Sequence, residues 1–396
     1  MIKALSAANK SERDKFKIPR SVQQSIPVKC VYADGIWLVG RKHSRTWRFS
    51  DVNYAAASED DRRGIFLSYG GVLNSLPTDA AAKITIINRR LNPVDFQRTI
   101  LMKERGDGLD QYRRESNRIL TQRAAESNNL VQEKYITLSI PQRKIEESRA
   151  YFRRVDANLS KSFGRLDSGA RPVSTHDRLR ILHDFFRPGE EQYFTFDQSA
   201  AVRRGLDFRD LICPDGLRFR AGYFEMGDKV GRVLFLKDYA SYIKDSMISD
   251  LSDFSRNLML SIDILPIPTD EAVKEIQGRI LGIETDITRW QQRQNDKNNF
   301  TATVPYDLEQ LRGEAKEFLS DLTERDQRMM FAVVTLVHIA DSLEQLDADT
   351  DALLSIGREH LCQFSVLRYQ QEDGLNTVLP YGLRRVKALR TLTTES

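Results

Sequence analysis

Cysteine, histidine and long apolar runs are all scarce in this chain, and each shortage closes off a class of protein. The three cysteines, Cys30, Cys213 and Cys362, are odd in number and far apart. That argues against a disulfide framework or a zinc cluster and suits a reducing cytoplasm, where they read as small buried hydrophobes. Of the five histidines, His176 and His183 share a helical stretch but have no acidic or cysteine partner at ligand spacing. His43, His338 and His360 are isolated, so metal binding is not expected. No stretch approaches the roughly 18 to 20 apolar residues of a membrane span, the most apolar being MMFAVVTLVHIA and LMLSIDILPI. The opening MIKALSAANKSERDKFK lacks an apolar signal core, so no secretory signal is read. Charge of one sign is missing too: 60 basic against 56 acidic residues, a net +4, is too balanced to establish a nucleic-acid partner.

Catalytic motifs are equally thin. GIWLVGRK, Gly35 to Lys42, has the glycine spacing of a phosphate-binding loop, but Arg41 and Lys42 stand where lysine and a magnesium-holding hydroxyl belong, and its middle is strand-like. GDGLDQ at Gly106 lacks the third glycine of a dinucleotide fingerprint. DADTD at Asp347 imitates a calcium loop, with Ala352 in place of the turn glycine and Arg358 in place of the bidentate glutamate. Nucleophile elbows are absent, and the adjacent Glu146 and Glu147 point apart on a helix. No active site follows from these residues.

What is present is rhythm. The segment up to about residue 24, with Lys3, Lys10, Arg13, Lys15, Lys17 and Arg20 against Glu12 and Asp14, reads as a mobile basic arm. Next come three short extended runs, VKCVY, GIWLVG and RTWRF, separated by Asp34-Gly35 and Gly40-Arg41, the mark of an antiparallel meander. A helix capped by Ser58, with Asp60 and Asp61 at its positive end, follows. Then strand, polar helical excursion, strand, helix, strand and helix succeed one another: AKITIIN, LDQYRRESNRILTQRAA, QEKYITLSI, a helix with Ile145, Phe152, Val155, Leu159 and Phe163 on one face, ARPVST, and HDRLRILHDFF. The same order returns after a second meander, CPDGLRFRAGYFEMGDKVGRVLFL. We therefore expect an α+β fold, antiparallel or mixed sheets covered by helices, in two similar β-α-β-α halves: residues 25–188 and residues 189–396.

The second excursion, about residues 269–322, carries the sharpest periodicity. Val273, Ile276, Ile280, Ile283, Ile287 and Trp290 alternate steps of three and four, and the step recurs at Leu308, Leu311, Ala315, Phe318 and Leu322, predicting a helical hairpin inserted in the second half. It packs on its own domain or projects as an arm to a partner. Of these, Val273, Ile276, Ile280, Ile283, Ile287, Trp290, Leu308, Leu311 and Phe318 are the candidate interaction surface. The basic clusters elsewhere alternate with acids and read as solvated helix faces; the terminal Arg384, Arg385, Lys387 and Arg390 are less balanced.

QQSIPVKCVYADGIW, QEKYITLSI, the SKSFGRL helix end, LRYQQEDGLNTVLPYGL and RTLTT follow one another in an order that resembles the amino-terminal half of conjugative-transfer ATPases of the CagE/TrbE/VirB family. The branch it looks most like is that of conjugative elements of Gram-positive bacteria. The resemblance covers nearly the whole chain, and Q-Q-E-D-G-L with L-P-Y-G-L is its most specific part. It implies a type IV secretion motor peripheral to the cytoplasmic face of the membrane, whose ATP- and magnesium-binding domain lies beyond Ser396. No catalytic, cofactor or metal residue is carried over, and no ATP hydrolysis is expected from this chain alone. Its implied role is docking to membrane components of the channel and to other copies of itself, with the Arg384 to Arg390 segment as a joint to the motor. Two other readings stand beside it: a nucleic-acid-binding protein of a mobile element, making weak contacts through its basic arm and terminal arginines, and an enzyme whose site the sequence does not display.

Overall fold

The computed structural model describes residues 19–52, 54, 57–90, 96, 100–126, 130–205, 207–240, 246–254, 256–297, 303–325 and 327–395. Of the basic arm expected at residues 1–24, residues 1–18 lie outside them. A short helix α1 (Val22–Ser25) precedes the meander β1 (Val28–Val31), β2 (Trp37–Val39) and β3 (Lys42–Phe49). Helix α2 (Glu59–Asn74) then leads to β4 (Ala81–Arg90), α3 (Asp110–Glu126) to β5 (Leu130–Pro141), α4 (Ile145–Gly164) to β6 (Ala170–Pro172), and α5 (Thr175–Phe186) ends the first half. After α6 (Gln198–Arg204) the order repeats. The second meander is β7 (Leu217–Phe219), β8 (Phe224–Met226) and β9 (Lys229–Asp238), followed by α7 (Ser246–Ser252), β10 (Leu258–Pro266), the helices α8 (Thr269–Asn295) and α9 (Tyr306–Thr323), and β11 (Met329–Ala340). Helix α10 (Leu343–Glu359), β12 (Gln363–Val366), α11 (Gln371–Val378) and β13 (Arg390–Thr393) complete it.

Local chemistry sets these boundaries. Ser58 caps α2, its hydroxyl accepting from the Asp61 amide at 3.2 Å, with Glu59, Asp60 and Asp61 in the first turn. Ser174 caps α5 in the same way through Asp177 at 3.1 Å. Each meander turns at a glycine with φ 57°, Gly40 and Gly227, a conformation that costs other residues about 1 kcal/mol or more.

The expected α+β architecture is realised as one antiparallel sheet whose strand order, β1-β2-β3-β5-β4-β10-β11-β9-β8-β7, carries the same elements when read from either end. Register is preserved along with order. Trp37 opposes Ser44 as Phe224 opposes Gly231, Arg48 opposes Arg171 as Phe235 opposes Ser365, and Arg45 opposes Leu138 as Arg232 opposes His338. The halves join at β4 and β10, where Thr85 faces Ser261 and their hydroxyls lie 2.9 Å apart. Among the described strands only β13, on β11 beyond the end of β9, has no counterpart.

Alternation sends every second strand residue to each face. On one face Trp47, Ile84, Ile136 and Leu138 pack under α2 and α4, and Leu234, Leu260, Val334 and Leu336 under α7 and α10; each such fully buried side chain contributes roughly 1.5–3 kcal/mol. The other face curls. Val28, Trp37 and Val39 from one end share a single buried cluster with Phe224 and Met226 from the other, and Gln23 reaches Asp210 at 3.1 Å. Inside the curl lie α5, α11 and the extended segment that follows α11.

Candidate interaction surfaces

The predicted hairpin forms. At its base Ala272 and Ile276 of α8 and Leu322 of α9 pack with Leu265, Ile267, Met329 and Phe331, and Val273, Ile280 and Phe318 fit against them. Farther out the two helices pack on each other: Ile287 is buried, Ile283, Trp290 and Leu308 are half-buried, and Leu311 is 49% exposed. With 27 residues in α8, the arm is about 40 Å long at 1.5 Å per residue. The heptad stripe is therefore spent mainly on the partner helix of the same hairpin. What the arm offers a partner is Leu281, 66% exposed, Tyr306, 78% exposed, and Leu311.

The first two residues of the terminal basic group are held more tightly than its composition indicates, and Lys387 and Arg390 are exposed. Arg384 is 3% exposed and donates from Nη1 to the Val386 carbonyl at 3.0 Å. Arg385 is 3.6 Å from Asp373, and Arg390 lies over the Tyr239 ring at 5.9 Å. Around them Leu375, Val378, Leu379, Tyr381, Leu383 and Val386 are all buried inside the curled sheet, which accounts for apolar residues threading a basic tail.

Small polar strand residues make room for this segment. Thr46 and Thr137 pair their hydroxyls at 2.8 Å, and Ser44, Ser139, Ser261 and Thr335 continue the strip. The backbone of residues 377–383 crosses it. Ser261 donates to the Val378 carbonyl at 2.5 Å and Lys83, ion-paired with Asp263 at 2.7 Å, donates to the Thr377 carbonyl. At Gly382, φ 83°, an added Cβ would stand 2.9 Å from the Ser139 Cβ, so glycine is required both by dihedral and by space.

Arg178 of α5 pins the crossing. Fully buried, it donates to the carbonyls of Gly35 (2.9 Å), Ser44 (3.1 Å) and Pro380 (3.3 Å) and lies 4.1 Å from the Trp37 ring centre. Burial, with Arg45 nearby, lowers its pKa to about 9. Gln371 of α11 ties the second half with neutral bonds to the Val233 amide (2.9 Å) and the Leu367 carbonyl (2.6 Å).

Three histidines each hold a side-chain hydrogen bond within the fold. His43 shares a hydrogen bond with Ser148 at 2.7 Å, His338 with Thr350 at 3.1 Å, and His360 with Asp250 at 2.8 Å. Burial lowers the pKa of His338 to about 3 and raises the Cys213 thiol to about 12. Among the described residues, no group of three or more His, Cys, Asp or Glu could hold a metal ion, and no helix is long and apolar enough to cross a membrane. Gly35 to Lys42, the loop with phosphate-loop spacing, is the β2–β3 hairpin.

One charged cluster was not singled out from the sequence. Glu133 of β5, 6% exposed, accepts from Arg89 at 2.8 and 3.2 Å and from the Tyr135 hydroxyl at 2.9 Å, with Arg48 at 3.2 Å. Burial pushes its carboxyl up, but the Arg89 hydrogen bonds and charge outweigh this and hold it below the usual range. These residues come from three strands, β3, β4 and β5, and only pairing in the sheet assembles them. Compared with known proteins, the chain matches no family model and no curated protein.

Proposed function

We propose that this chain is a docking and assembly domain of a conjugative, type IV secretion ATPase, and that it does not itself hydrolyse ATP. In this reading it works at the cytoplasmic face of the membrane, contacting channel components and further copies of itself, while ATP and magnesium belong to a separate motor domain. The observation that carries the proposal is the α8–α9 arm. Two helices inserted in sequence between the central strands β10 and β11 pack on each other beyond their base and present Leu281, Tyr306 and Leu311 to solvent, apolar side chains that a partner helix or subunit could cover. The closing segment supports the same reading: residues 371–393 are bonded to both halves of the sheet, so force applied there reaches the whole domain.

The test is competition. Producing this chain in cells beside an intact conjugative machinery of its native element should depress DNA transfer by occupying the docking site, and the Leu311→Lys, Tyr306→Lys variant should depress it less. Unchanged transfer at high levels of the folded chain, or ATP turnover by the purified chain that survives rigorous contaminant controls, would remove the proposal.

A further inference from the structure

Four arginines from four elements converge on one cavity of the first half: Arg48 of β3, Arg89 of β4, Arg171 of β6 and Arg180 of α5 line a space of about 190 Å³. That is many times what a single water needs and has room for a group of several heavy atoms. Three carboxylates, Glu133, Asp177 and Asp184, share the lining, so one positive charge is left over.

The pairing inside the cluster is incomplete. The Glu133 oxygens are taken by Arg89, Arg48 and Tyr135. Asp184, buried, shares a hydrogen bond with His183 at 3.3 Å and stands 3.6 Å from Arg89 Nη1, too far for a hydrogen bond to that arginine. Arg89 Nη1 is itself buried without a hydrogen-bond acceptor among the described residues, which is costly for a charged donor. Arg171, exposed, pairs with no carboxylate among the described residues.

The second half supplies an internal control. By register, Arg48, Arg89, Glu133, Tyr135 and Arg171 correspond to Phe235, Leu265, Val333, Thr335 and Ser365. The same strands pair in the same way there without a charge at any of these positions, so the fold does not require them.

We propose that this cavity binds a phosphate group, as inorganic phosphate or as a phosphate monoester, with the exposed Arg48 and Arg171 at its mouth and Arg89 and Arg180 in its lining. Planar guanidinium forks arriving from several directions suit the tetrahedral, multiply charged oxyanion better than a single carboxylate, which one fork satisfies.

The experiment is calorimetric titration of the full chain with inorganic phosphate and, separately, with a nucleoside monophosphate, each against chloride at matched ionic strength. Saturable binding is expected, weakened about tenfold or more in the Arg48→Gln, Arg171→Gln double variant and unchanged in Arg218→Gln, an exposed arginine of β7. Both substitutions in the double variant are at exposed side chains and leave the Arg89–Glu133 pair in place; a thermal melt checks that the fold is kept. Binding of phosphate alone assigns a free anion and tighter binding of the monoester assigns an ester, and either upholds the site. No saturable heat beyond the chloride control, or binding undiminished in the double variant, overturns it.

Discussion

Leu138 and His338 occupy the same place in the two halves of the sheet, as do Glu133 and Val333, and as do Ile87 and Asp263. Strand order and register agree across the join while the buried chemistry does not. Alternation of inward and outward residues is enough to specify a strand and, once it is paired, its register; which residue fills an inward position is then open to other demands. The first half uses that freedom for a ring of arginines around a cavity, the second for a buried histidine and a long helical arm. Even the ties to the interior differ, Arg178 binding through a charge and Gln371 through an amide.

The comparison breaks most completely at the segment both halves share. Gly382→Val adds side-chain atoms where the Ser139 Cβ already stands 2.9 Å from a Cβ at φ 83°. Overpacking and the left-handed backbone together should cost about 4 kcal/mol, and urea unfolding should show both halves destabilised in one transition. A loss under about 1 kcal/mol would mean that the segment does not bind them together.

Next in size are exchanges that give one half the residue of the other. Glu133→Val alone leaves the largely buried Arg89 with only Asp184 at 3.6 Å and should cost about 3 kcal/mol, whereas adding Arg89→Leu and Arg48→Phe should recover part of that loss, Asp184 and the Tyr135 hydroxyl each still lacking a former partner. Denaturant melts of the single and triple variants decide it; equal losses would make the charges structural.

The reverse exchange, His338→Leu, acts through pH. The folded chain keeps His338 neutral down to about pH 3, while the unfolded chain takes up its proton near pH 6.5. Between those limits the unfolded state binds more protons, so stability falls as pH falls, by about 2 kcal/mol at pH 5. The leucine variant should lose that part of the slope in melts from pH 7 to pH 4; an unchanged slope would show that other groups dominate. Smallest of all, Leu311→Lys on the outer part of the arm should shift stability by no more than about 0.5 kcal/mol, which keeps it usable as a probe of docking.

Much of this was legible in the residues. The two meanders, the paired helices of the arm, the Ser58 cap and the repeated order all follow from periodicity and turn chemistry, because those signals are local. The join between β4 and β10 was not legible, since nothing in AKITIIN or RNLMLSIDI names its neighbour. Nor was the path of the closing segment. Arg384 and Arg385 carry the same local signal as any solvated arginine pair, and only the strip of Ser and Thr on five distant strands shows that a backbone must lie over them. The arginine cavity escaped for the same reason: its arginines are brought together by pairings that span 44 residues between Arg89 and Glu133 and 91 between Thr46 and Thr137.

The buried path of residues 371–393 also fixes an order of events during synthesis. The ribosome makes them after every strand they cross, so the hydroxyl-lined inner face, with Lys83 and Asp263 upon it, must wait in water until they emerge. Strands can pair early, but the interior closes late and cooperatively. A nascent chain halted before Gln371 would be a wetted, half-curled sheet, open to chaperones and proteases until residues 371–393 are in place.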